Sequence, residues 1–169
     1  MAAQTGRSIE KWVYVIVGDS ANALREINVT SIGDVGLAFE AKDVTVWQDA
    51  VKNALTGQPS APIKIAGRFD NSAAVTAPAT TEAHALSGAH GVLSAICGDG
   101  LPHTLDIRFG VRHAWTTNEP QFGLARVSAN GVGYACTKYT VNGTDYSAEF
   151  EVMGGTVPAW GTAALTAGS

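Results

Sequence analysis

Charge is scarce in this sequence. Asp, Glu, Lys and Arg make up 15% of its 169 residues, against about 25% in an ordinary soluble domain. A surface so poor in charge has to be covered by something else, and self-association is the simplest cover. The net charge of -4 argues against a protein that grips phosphates, which needs clustered Lys and Arg. Cysteine is rare too. Cys97 and Cys136 fit no metal-ligand spacing, and buried reduced thiols are expected there in preference to a disulfide. No apolar run reaches the roughly 18 residues that a membrane span requires. The opening M-A-A-Q-T-G-R-S lacks an apolar signal core, so synthesis and residence in a reducing cytoplasm are expected. On that expectation the sequons at Asn28 and Asn142 are chance matches.

What is present is a strand-rich pattern. Its centre is the stretch Phe39 to Asn71, which reads as a frame for assembly and carries nothing that looks catalytic. Residues 1–9 read as a polar arm. Lys11 to Val17 is aromatic and β-branched throughout, so a strand buried on both faces is expected. A turn at Gly18–Asn22 leads to a second strand, Ala23 to Thr30. Leu37 to Val46 is extended. Trp47, Val51, Ala54 and Leu55 have helical spacing, with Gly57 placed to stop a helix, and the two prolines in Gln58–Pro62 predict a loop that cannot pair. Ile63 to Phe69 alternates, with Ile63, Ile65 and Phe69 inward, Lys64 and Arg68 outward, and Gly67 open to a close approach. A second helix is expected over about Thr81 to Cys97, capped by Thr80 and weakened by Gly88 and Gly91.

His103 to Phe109 alternates next, with Leu105, Ile107 and Phe109 inward and Asp106 and Arg108 outward. Gly110 to Gly123 reads as a long loop. Strands are expected at Leu124–Ser128, Val132–Val141 and Tyr146–Met153, with Asn130-Gly131 and Asn142-Gly143 as hairpin turns. The sum is a mainly β fold: an antiparallel sandwich or barrel with one or two flanking helices. It forms a single domain over 10–153, with arms at 1–9 and 154–169.

The chemistry is thin. Val15-Ile16-Val17-Gly18-Asp19-Ser20 resembles the nucleophile block of GDS (SGNH) hydrolases, with Ser20 in the attacking position. The family's D-x-x-H is here Asp99-Gly100-Leu101-Pro102-His103, one residue too long and in mid-chain, and no G-x-N-D block is present. His84, His90, His103 and His113 share no metal-binding spacing. Glu149 and Glu151 lie two apart on one strand face, as a solvated face would have them. No catalytic residue, metal or cofactor is expected.

The order of motifs along the chain resembles the major tail tube proteins of long-tailed bacteriophages. Asp43-Val44-Thr45 is followed by Asp49, Lys52, Leu55 and Gly57. Then come Ile63-Lys64-Ile65-Ala66-Gly67-Arg68-Phe69-Asp70, an Ala/Leu-rich segment with His84, and the pair Tyr139-Thr140-Val141-Asn142-Gly143 and Tyr146-Ser147-Ala148-Glu149-Phe150. Asp43, Thr45, Asp49, Gly57, Gly67, Phe69 and Asp70 are the motif positions. The resemblance implies a siphovirus-like structural virion protein, assembled in the host bacterial cytoplasm and located in the tail. Six copies would form a ring, and rings would stack through the 1–9 and 154–169 arms and the 110–123 loop. The subunit's partners would be itself, other tail proteins and DNA in transient passage, with no membrane. Asp106, Glu149 and Glu151 are then candidates for the lumen. A capsid decoration or other minor head or tail protein is the alternative within this class, and an ester hydrolase using Ser20 is the alternative outside it.

Overall fold

A computed structural model describes residues 13–46, 54–76, 84–110 and 119–169. Among these residues the architecture is two packed sheets, one helix and a separate ribbon. In chain order the strands are β1 (Val13–Gly18), β2 (Leu24–Ile27), β3 (Ser31–Ile32), β4 (Ala38–Asp43), β5 (Ala54–Ser60), β6 (Ile63–Arg68), β7 (Val75–Thr76) and β8 (Ala85–Ser87). Helix α1 (Ala89–Ile96) follows, then β9 (Leu105–Phe109), β10 (Gln121–Leu124), β11 (Gly133–Asn142), β12 (Asp145–Met153) and β13 (Ala159–Gly161). The first sheet runs β13-β10-β9-β1-β2-β8-β7, the second β11-β12-β6-β3, and β4 pairs with β5 alone. Among the described residues only β2 and β8 pair in parallel. The mainly β, antiparallel expectation holds. No helix among the described residues is long and apolar enough to cross a membrane.

The core lies between the sheets. Val15, Val17, Leu105, Ile107 and Phe122 of the first sheet meet Ile63, Ile65, Tyr134, Ala148 and Phe150 of the second. One stripe of α1, Ala89, Val92, Leu93 and Ile96, completes it. β1 is buried on both faces, as its composition predicts, with Tyr14 and Ile16 in a smaller cluster on the far side.

Several expectations are corrected. Residues 47–53 of the first expected helix lie outside the described residues, but Ala54 and Leu55 open a strand, and Gly57 sits inside it. Pro59 and Ser60 pair after all, opposite Phe39 and Ala38. A two-stranded ribbon leaves one side of each strand without a ladder, where a residue lacking an N–H is tolerated. The second helix starts at Ala89, because 85–87 is strand and Gly88 fits a tight corner. A Cβ on Gly88 would lie 2.5 Å from the Ser72 nitrogen. The Asp70 carbonyl accepts the His90 amide at 2.9 Å, tying the helix start to the end of β6.

Asp106 and Arg108 do not face outward. Both are buried, and Arg108 Nε donates to Asp106 Oδ2 at 2.9 Å. The cause is the end of the chain. Residues 154–169 fold back: β13 extends the first sheet beside β10, the Leu165 amide donates to Asp106 at 3.2 Å, and Thr104 Oγ1 donates to the Ala167 carbonyl at 2.8 Å. Part of the expected 110–123 loop is strand β10; its residues 111–118, like arm 1–9, lie outside the described residues. Phe69 is 41% exposed instead of inward. Asn130-Gly131 closes a short 3-10 turn with Gly131 at φ 64, joined by the Val127–Val132 bridge. The β11–β12 hairpin is real, but Asn142 pairs with Asp145, so its two-residue turn is Gly143-Thr144. Glycine leading with positive φ, here 65, suits that turn.

Candidate assembly surface

Among the described residues the β4–β5 ribbon is the least self-sufficient element. Every residue of Ala38–Asp43 is exposed, and in Ala54–Ser60 only Pro59 is half-buried. Phe39 is 51% exposed and Leu55 62%, with Val44 and Val46 exposed just beyond β4. A two-stranded ribbon is marginal in water without a further apolar contact. At its end Asp43 caps a local turn, accepting the Thr45 amide at 2.9 Å and the Thr45 hydroxyl at 2.5 Å. The Thr45 hydroxyl holds the Asp43 carboxyl below its ordinary range.

The second sheet presents an ordered polar face. Lys64, Glu149 and Lys138 lie in register across β6, β12 and β11, with Glu149 3.8 Å from Lys64 and 3.3 Å from Lys138. One row along, Thr140 and Ser147 hydroxyls share a hydrogen bond of 2.8 Å; beyond them Arg68 pairs with Asp145 at 3.6 Å. With Glu151, three carboxylates meet three cations, so the face is balanced and not acidic. The edge of this sheet is β11, ten residues long and mostly exposed from Thr137 onward. The opposite edge, β3, is two residues long.

Gly67, Phe69 and Asp70 hold local contacts. A Cβ on Gly67 would fall 2.5 Å from the Asn28 carbonyl and 2.7 Å from the Tyr146 ring. Asp70 accepts from the Ser72 amide at 2.8 Å and from the Ser72 hydroxyl, which lowers its pKa. Phe69 stacks beside His90 with centroids 4.9 Å apart. Asp49 lies outside the described residues.

The hydrolase geometry is not assembled. Asp19 organises its turn, accepting the Ala21 and Ala23 amides at 2.9 Å each and binding Arg25 at 2.7 Å. Ser20 is exposed. His103 is buried, with Nε2 turned to Asp99 at 3.0 Å and Nδ1 sealed from solvent, so it offers Ser20 no base. His84 is buried against Glu26 at 2.9 Å, and His90 bonds the Tyr139 hydroxyl at 3.0 Å. His113 lies outside the described residues. Among the described residues no three His, Cys, Asp or Glu side chains could hold a metal.

In sequence, no protein-family model and no curated protein matches the chain. Solved structures do match in shape. A chain of the sheath/tube terminator of the PVC extracellular contractile injection system, in its extended state, aligns with a TM-score of 0.53 at 14% identity, over 94% of this chain and 99% of that one. A chain of the anti-feeding prophage baseplate aligns at 0.57 with 6% identity, over 97% and 99%. One from that particle's tube-terminating cap aligns at 0.53 with 12% identity, over 96% and 95%. Identities this low carry the fold alone, and it is a fold found among the chains of phage-tail-like injection particles.

Proposed function

We propose that the chain is a structural subunit of a phage-tail-like tube, built to form rings that stack on one another or on the tube's end. The β4–β5 ribbon carries this reading. It exposes Phe39, Leu55, Val44 and Val46 on an element that cannot bury them by itself. A neighbouring subunit is the simplest cover. The part of the β11 edge beyond Cys136, mostly exposed from Thr137 onward, supports the same reading, because edges left unpaired in a monomer are satisfied by pairing in a closed ring. Near-complete mutual coverage with the terminator, baseplate and cap chains adds support from shape.

In the ring, the balanced face of the second sheet lines the lumen. Glu149 and Glu151 point there, and Asp106 does not, being buried under residue 165. DNA passes such a face without sticking, since its cations are already engaged with carboxylates.

Negative-stain microscopy of the concentrated chain, with its mass in solution, tests the proposal. Rings or hollow tubes are expected. Tubes assign it to the body of the tail tube, and single rings that do not grow assign it to an end. A chain that stays monomeric at every concentration overturns the reading.

A further inference from the structure

The two thiols lie on facing elements. Cys97 is the residue that ends α1, and Cys136 lies on β11. The Gly98 amide donates to the Cys136 carbonyl at 3.1 Å, which fastens the helix end to the strand beside both sulfurs. β11 carries a bulge between Cys136 and Lys138. A bulge re-aims the side chains flanking it, and here Cys136 stays inward, its Sγ 3.6 Å from the Lys138 carbonyl. Cys97 is half-buried and packs on the core cluster that contains Cys136. Both are free thiols. The pair is asymmetric: Cys97 is half-buried and Cys136 is buried.

We propose that Cys97 and Cys136 form an oxidation-driven clasp that locks α1 to the open edge strand β11. The oxidant is a small-molecule disulfide of the glutathione class. The Cys97 thiolate attacks one sulfur of that disulfide, a Cys97–glutathione bond forms, and one glutathione thiolate leaves. Cys136 then attacks Cys97 Sγ, its proton passing to the departing thiolate, and the second glutathione leaves as the thiol. Two protein thiols are oxidised and one disulfide is reduced to two thiols. Burial and the adjacent Cys97 thiol push the Cys136 thiol up to about 12, so the second step is the slow one and Cys97 is the entry point. The closed clasp leaves the fold as it is and restrains the edge strand, which stiffens the subunit in an oxidising medium. This inference stands whether or not the chain builds a tube.

The full chain is incubated with oxidised glutathione and read by intact mass and non-reducing peptide mapping. The expected product has lost two hydrogens, carries no glutathione, links the Cys97 and Cys136 peptides, and melts at a higher temperature than the reduced chain until dithiothreitol reverses it. Cys136→Ser is expected to stop at one glutathione on Cys97, and Cys97→Ser to stay unmodified. Two unmodified thiols in the wild-type chain would overturn the clasp. So would a mixed disulfide at Cys97 that never resolves, or a dimer joined through Cys97.

Discussion

Gly67 shows how one residue can be fixed from two sides. The Tyr146 hydroxyl crosses it to donate to the Asn28 carbonyl at 2.5 Å, and the space a methyl would need is taken by that carbonyl and ring. Gly67→Ala should destabilise by about 1–3 kcal/mol. Tyr146→Phe, which loses the hydrogen bond and keeps the packing, should cost nearer 1 kcal/mol. Urea midpoints of the two variants check that order. Asp19 makes a pH prediction. Burial alone would raise its pKa, but Arg25 and two amides outweigh burial and lower it. A carboxylate with a lowered folded pKa contributes stability above its ordinary value of 3.8 and loses it as pH falls through the folded value. Asp19→Ala should therefore lower stability at pH 7 and flatten its decline below about pH 4, read by urea melts across that range. The need for glycine at 67 was legible, because a residue without a side chain inside an alternating strand marks a close approach. The burial of Asp106 was not. Alternation assigns the two faces of a strand but cannot say that both are covered.

The elements differ in how far local sequence determines them. β6 and β12 follow their alternation, β1 follows its unbroken apolar run, and the β11–β12 hairpin follows its glycine. Helix α1 was legible in its second half, where Leu93 and Ile96 keep helical spacing. The start was misread because Gly88 is there for a tertiary reason, the turn at 70–72 pressed against it. The ribbon was misread for another reason: spacing over a few residues cannot separate a helix from a strand when neither face is buried in its own chain. That exposure sets a prediction. Phe39→Asp combined with Leu55→Asp should leave the thermal midpoint of the isolated subunit nearly unchanged, because surface substitutions seldom matter by more than about 0.5 kcal/mol. The same pair should abolish rings or tubes under the microscope. A large loss of stability in the monomer would instead make the ribbon part of the body.

At the scale of the molecule, two sheets of unequal size leave one face polar and one edge long. Replacing Glu149 and Glu151 by lysine converts a balanced face into a strongly cationic one, since Lys64 and Lys138 lose their partner. Assembly should persist while DNA release from the particle slows, and the slowing should shrink in high salt. Release at the wild-type rate would remove these residues from the lumen. The two-sheet sandwich was legible as a class; which strands neighbour one another was not, because pairing is settled by distant partners.

Those distant partners also impose an order in time. β1 waits for β9, β6 for β12, and β10 for β13. Sheets made of such non-local pairs close slowly. During synthesis, the hairpin that bears the long edge, 133–153, emerges before residues 159–161, which cover the side of β10. Until they do, Trp160 is missing from its place 5.0 Å from Phe122, and the first sheet ends in a raw strand. A chain lacking those residues exposes β10 as its sheet edge, and edges of this kind aggregate or recruit chaperones. Only a chain that carries residues 159–161 has the side of β10 covered.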